Sequence, residues 1–201
     1  VPLGEVDDLA ARIPSAVSGL VTVVFVFLIA QRLFTARVAF WAAAMMVTCF
    51  SGWWQSRTGQ IDMLLTACLT CSLYALCRWD QDRRARWLLL LYGGVAAGLL
   101  AKGPPALVFP FLFMFFYYRR DRAARKATRW PWGLAAALAI TAMWYIPARL
   151  AGAESTVAAV DSGITDNLFR NTVGRMFLGV SKAQWPWYYL HTVPVGLVPW
   201  T

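Results

Sequence analysis

Leu99-Leu100-Ala101-Lys102-Gly103-Pro104-Pro105 is the stretch that decides how this 201-residue chain folds. It interrupts an apolar run from Trp87 to Tyr118 which, as one helix rising 1.5 Å per residue, would be about 48 Å long against a hydrocarbon core of about 30 Å. Arg83, Arg84 and Arg86 precede the run, and Arg119, Arg120 and Arg122 follow it. Basic clusters belong on the cytoplasmic side, so both ends of the run are expected inside and the chain must go out and come back. Gly103-Pro104-Pro105 is where a helix would break, because two prolines remove donors and bias the preceding residue away from the helical region. Lys102 then stands at the outer apex, a lone cation between two short hydrophobic segments, placed to meet an anion.

Outward from that hairpin, the composition sets the class. The chain is 59% hydrophobic with eleven Trp and only 14% charged residues, and its mean hydropathy is +0.52. This is the composition of a polytopic membrane protein, all-α because lipid leaves backbone polar groups few other ways to be satisfied. The net charge of +9 lies mostly in short loops, where it sets topology and meets anionic lipid, so nucleic acid is not expected as a partner.

Seven apolar segments are expected to be membrane helices: Pro14 to Ala30, Val38 to Trp54, Ile61 to Cys77, Trp87 to Ala101, Pro105 to Tyr118, Trp132 to Leu150 and Trp187 to Trp200. Arg32 and Arg37, then Arg78 with Arg83, Arg84 and Arg86, then the basic run Arg119 to Arg129, mark the cytoplasmic loops. The alternate loops, outside, hold Glu5, Asp7 and Asp8, then Arg57 and Asp62, then Lys102, and finally residues 151–186. That last loop is too polar to span, and Leu168, Phe169, Val173, Met176 and Phe177 share one face of an amphipathic helix expected in the outer interface. Residues 1–201 thus read as part of one transmembrane domain. The start at Val1 shows no signal peptide, and the chain is expected to be a piece of a longer protein.

Cys49, Cys68, Cys71 and Cys77 all fall within or at the end of apolar runs. Cys68-Leu69-Thr70-Cys71 has redox-pair spacing, but no adjacent cation lowers a thiol pKa, and the sole histidine, His191, cannot complete a zinc site. They are read as small buried hydrophobes. No cofactor is called for, and a divalent metal finds no support in the ligand types available.

Four ionisable residues share the outer side near membrane depth: Arg57, Asp62, Lys102 and Arg170. A charge at mid-bilayer costs about 2.5–3.5 kcal/mol on insertion scales, so such residues face protein, water or a ligand. Asp62 opens an apolar helix, where a carboxylate can cap the first turn beside Arg57, or else line a site. Lys102 could snorkel from a turn, but apolar neighbours on both sides argue against that. Together the cations could neutralise a phosphate or diphosphate, Arg as a bidentate fork and Lys as a point charge. A lipid-linked phosphate suits the setting, its polyprenyl tail among the helices and its headgroup at the cations.

Asp8-Leu9-Ala10-Ala11-Arg12-Ile13-Pro14-Ser15-Ala16, Gly59-Gln60-Ile61-Asp62-Met63-Leu64-Leu65-Thr66, Gly98-Leu99-Leu100-Ala101-Lys102-Gly103-Pro104 and the stretch from Pro194 to Pro199-Trp200-Thr201 together resemble the dolichyl-phosphate-mannose-protein mannosyltransferase-like family. Within it, the chain looks most like the lipid A 4-amino-4-deoxy-L-arabinose transferases. The resemblance implies a membrane glycosyltransferase of the C-type fold in a bacterial inner membrane, its site facing the periplasm. The donor would be a polyprenyl-phosphate-linked sugar and the acceptor a lipid A-like glycolipid or a protein. It also implies that Lys102 contacts the donor phosphate, that Arg170 is a second phosphate ligand and that Asp62 lines the same cavity. The family's catalytic acidic residue would lie upstream of Val1, so no catalytic residue is expected in residues 1–201, and these alone should be inactive. A polyprenyl-phosphate or lipid transporter, or a binding protein without catalysis, is the rival reading. Transport predicts an inverted repeat or a second charged site near mid-membrane, and the sequence has neither. A non-catalytic scaffold, the third, would need neither Lys102 nor Asp62.

Overall fold

The computed structural model describes residues 8–119, 121–154 and 187–200, and within them the chain is helical throughout its regular structure. The order is α1 (Asp8–Leu33), α2 (Ala36–Thr48), α3 (Phe50–Arg57), α4 (Ile61–Asp82), α5 (Ala85–Lys102), α6 (Pro105–Tyr117), α7 (Arg122–Ala127), α8 (Trp130–Glu154) and α9 (Trp187–Leu197). Three of these are long and apolar enough to cross a membrane: Arg12–Leu33, Ile61–Asp82 and Ala85–Lys102. Ala36–Thr48 and Pro105–Tyr117 are shorter apolar helices.

The break at the proline pair is present. Gly103 ends α5 at φ 85°, ψ −139°, a combination close to glycine-only territory, and its N–H bonds to the Leu99 carbonyl at 2.9 Å. Pro105 then starts α6 at a position where a missing N–H costs nothing. The Ala106 N–H returns to the Gly103 carbonyl at 3.0 Å, closing the turn tightly.

The expected segment from Val38 to Trp54 is two helices rather than one. Cys49 adopts an extended conformation (φ −69°, ψ 139°) between α2 and α3, and its thiol sulfur accepts the Gly52 N–H as an N-cap. Glycine is required at 52, since a Cβ there would lie 2.7 Å from the Met46 carbonyl. The end of α9 secures this break: the Phe50 N–H donates to the Val198 carbonyl at 3.0 Å, and Trp200 Nε1 donates to Thr48 Oγ1 at 2.7 Å. Further along, α4 continues past Cys77 to Asp82 and α8 continues past Leu150 to Glu154.

Helix α4 is the centre of the bundle, packed by α1 on one side and by α5 and α6 on the other, with α8 outside α5. Small and polar side chains face inward along α1, where Ser15, Ser18 and Thr22 are buried. Ser18 and Thr22 donate to the carbonyls four residues back, at 2.6 and 2.8 Å, so burial leaves neither unsatisfied. Large apolar side chains face out, among them Leu20 at 69% and Leu89 at 75% exposure. In water that arrangement would be costly; against lipid it is the expected one, because close helix contact is the gain and tails solvate the rest.

The closest approach is between α4 and α5. Gly94 and Gly98, four residues apart on α5, carry no side chain where neighbouring helices pass: a Cβ on Gly94 would lie 2.4 Å from Ser72 Oγ of α4, and one on Gly98 3.4 Å from Cys68 Cβ of α4 and 2.8 Å from Ala106 Cβ of α6. Ser72, fully buried, places its hydroxyl between the Cys68 carbonyl of its own helix (2.9 Å) and the Leu91 carbonyl of α5 (3.2 Å). This small-xxx-small pattern, Gly94 to Gly98, is a readable sequence signal.

Candidate functional site

Two turns and two helix ends build the site around Lys102 and Asp62. The α3–α4 turn, Thr58-Gly59-Gln60, delivers Asp62 in the first turn of α4; the α5–α6 turn follows directly on Lys102, the last residue of α5. The first of these is held from α1, where the buried Ser15 hydroxyl lies 3.0 Å from the Gln55 carbonyl and 3.1 Å from that of Gln60. The Gly94–Gly98 face then brings the end of α5 against the start of α4. The result is an ion pair between Lys102 Nζ and Asp62 Oδ1, groups 40 positions apart.

Asp62 is therefore neither the N-cap of α4, which is Gln60, nor the partner of Arg57. Arg57 instead lies over the Trp53 ring, 4.9 Å from its centroid, a cation–π contact that steadies a guanidinium without neutralising it. Both members of the Lys102–Asp62 pair keep about two fifths of their side-chain surface exposed, 45% and 41%. A charged pair in that condition is open to exchange partners.

Met63, which follows Asp62 in the chain, lines an apolar cleft of about 340 Å³. Its floor is α1 at Gly19 and Val23, its walls are Met46 of α2 and Met63 of α4, and Trp53 and Arg57 of α3 line it as well. Gly19 makes the depth, since a Cβ there would meet Ser56 Cβ at 2.9 Å. The cleft thus combines an apolar interior with a cation, and Met63 is the residue next to Asp62. A long apolar tail carrying a phosphate fits that division chemically.

Of the four residues singled out from sequence, Lys102 and Asp62 are joined, and Arg57 lines the apolar cleft. Arg170, the expected amphipathic helix within 151–186 and the side chain of His191 lie outside the described residues. What sequence reasoning missed is the supporting structure: Ser15 and the Gly94–Gly98 face. Cys49, Cys68, Cys71 and Cys77 are free thiols, with Cys68 and Cys71 only partly buried.

The opposite end of α4 is built differently. Asp80 stands 18 residues from Asp62, about 27 Å along the helix, close to a hydrocarbon thickness. It accepts from Tyr117 (3.1 Å), Tyr118 (2.9 Å) and Arg83 (3.1 Å). Asp82 accepts from Arg78 (3.0 Å) and Trp87 (3.2 Å). Trp79, Leu76, Leu91, Met114, Tyr118 and Ala124 form a buried cluster beneath them. These carboxylates are each satisfied by two or three donors and serve the fold.

Compared with known protein families, residues 2–146 match the model of one described as dolichyl-phosphate-mannose-protein mannosyltransferase, a range that includes Arg57, Asp62 and Lys102. No curated protein and no solved structure matches the chain.

Proposed function

The chain belongs to the dolichyl-phosphate-mannose-protein mannosyltransferase family, and from that premise we propose that the Lys102–Asp62 end of the bundle receives the phosphate of a polyprenyl-phosphate-linked sugar. The family is one of membrane glycosyltransferases that use such donors. The observation that carries the reading is the half-exposed ion pair joining the end of α5 to the start of α4, with an apolar cleft that bears Arg57 and begins at the neighbouring Met63.

In the reaction we envisage, an acceptor hydroxyl or amine attacks the anomeric carbon. Its bond to that carbon forms as the carbon–oxygen bond to phosphate breaks, and the electron pair leaves with the phosphate. A carboxylate base takes the acceptor's proton. Lys102 stabilises the charge that grows on the departing phosphate, a contribution larger in a site of low dielectric than in water. Asp62 is a positioning residue: its carboxylate aims the Lys102 ammonium, whose four-carbon stem would otherwise wander. The cleft takes the first isoprene units. Arg170 is the second phosphate ligand in this proposal, on the strength of the sequence resemblance. A lipid A-like glycolipid as acceptor, and a periplasmic site in a bacterial inner membrane, complete the proposal on the same footing.

Sugar transfer from a radiolabelled polyprenyl-phosphate donor, measured with the full-length protein in lipid vesicles, tests it. Lys102→Ala is expected to lower the rate at least 100-fold and Lys102→Arg to retain a measurable part of it. Wild-type rates in Lys102→Ala would refute the assignment. Lys102-dependent donor binding with no transfer by the wild type would favour the non-catalytic binding reading.

A further inference from the structure

At the other end of the bundle, the cations divide into two sets. Around the α4–α5 turn all but Arg84 are occupied: Arg78 pairs with Asp82 and Arg83 with Asp80, while Arg78 and Arg86 both lie over the Trp87 ring and Arg83 over Trp79. Three described cations in and beside α7 are not. Arg119, Lys126 and Arg129 are exposed and form no ion pair with any described carboxylate. The one carboxylate close by in sequence, Asp121, is used otherwise, capping α7 by accepting the Ala124 N–H at 2.9 Å.

An apolar groove of about 470 Å³ opens between α6 and the start of α8, lined by Val108, Phe111, Leu112, Met114, Phe115 and Trp130. Arg129 immediately precedes Trp130, and Arg119 follows Phe115 by about one helical turn. The Trp130 ring meets Phe111 edge-on at 6.5 Å. The turn is rigidly based, since Tyr92 of α5 donates to the Thr128 carbonyl at 2.9 Å, Thr128 is fully buried and Ala124 sits in the core.

Backbone geometry points the same way. Only two described non-glycine residues have positive φ, Arg83 at 51° and Arg129 at 50°, a conformation in which glycine is far less strained. For Arg83 the ion pair and the Trp79 ring account for the choice. Arg129 has neither contact, and it adjoins Trp130 of the groove in the chain.

We propose that this groove seats an anionic phospholipid, with acyl chain along Phe115 and Trp130 and headgroup phosphate at Arg129, Lys126 and Arg119. Charge complementarity and the apolar lining select a lipid over a soluble anion. The site is separate from the Lys102 end and does not depend on the glycosyltransferase reading.

Native mass spectrometry of the full-length protein in neutral detergent, titrated with phosphatidylglycerol or with phosphatidylcholine of the same chains, tests the proposal. The expected result is a phosphatidylglycerol adduct that phosphatidylcholine does not reproduce. Arg129→Gly should weaken it about fivefold, the effect of one surface cation on an anionic lipid, without loss of folding because glycine suits φ 50°. Adding Lys126→Gln should weaken it about fivefold again. Arg37→Gln, a basic position away from the groove, should leave it unchanged. Equal binding of the two lipids, an equal loss in Arg37→Gln, or displacement of the adduct by inorganic phosphate would each overturn the proposal.

Discussion

Asp62 and Lys102 are each the sort of residue a membrane helix can carry only for a reason, and their pairing supplies one for both. An ion pair this exposed contributes little to folding, about 0–1 kcal/mol, so its value lies in where it holds the ammonium. Asp62→Asn should therefore leave the thermal unfolding temperature of the purified protein almost unchanged while lowering sugar transfer at least tenfold; a parallel fall in both would show a structural residue instead. Sequence alone marks the two positions as costly charges, but it offers Arg57 as the nearest partner for Asp62, five positions away. The true partner is 40 positions away, and no local rule reaches that far: it depends on how α5 docks on α4. By contrast, the conformation of Gly103 is legible from its neighbours, because a proline pair restricts backbone angles whatever the surrounding fold.

Helices α4 and α5 meet through absences. Where Gly94 faces α4, any side chain would have to occupy space held by Ser72 Oγ, and at Gly98 a Cβ would press on Cys68 of α4 and Ala106 of α6. Gly94→Val is expected to destabilise the protein by about 1–3 kcal/mol, read as a lower midpoint in SDS-induced unfolding, and to reduce transfer more than stability alone explains, because the Lys102 end of α5 moves with it. Gly93→Ala is the control, since a Cβ there meets nothing within 4 Å. The two breaks in the helical run show why some element boundaries are readable and others are not. Gly103-Pro104-Pro105 announces itself. Thr48-Cys49-Phe50 does not, because that break rests on a thiol accepting one N–H and on backbone and indole bonds from α9, about 150 residues later.

Across the whole molecule, α4 sets two chemically distinct ends about a bilayer apart: an ion pair open to exchange at one, saturated carboxylates and exposed basic residues at the other. The all-helical class and the basic end were legible because composition and arginine placement are summed over many residues. The supporting contacts behind the site were not, being single pairings between distant segments. If the basic end lies in the cytoplasm, then in a variant with native cysteines replaced, Thr58→Cys should react with a membrane-impermeant maleimide added outside spheroplasts, while Arg84→Cys should react only after lysis. The reverse pattern would invert the topology.

The Ser15 hydroxyl adds a dimension of time. Ser18 and Thr22 are content within their own helix, each bonded four residues back, and so α1 can enter lipid carrying them. Ser15 finds its carbonyls 40 and 45 residues downstream, at Gln55 and Gln60. At that position α1 alone is unfinished, and its hydroxyl gains these two partners only when the turn that starts α4 has docked against it.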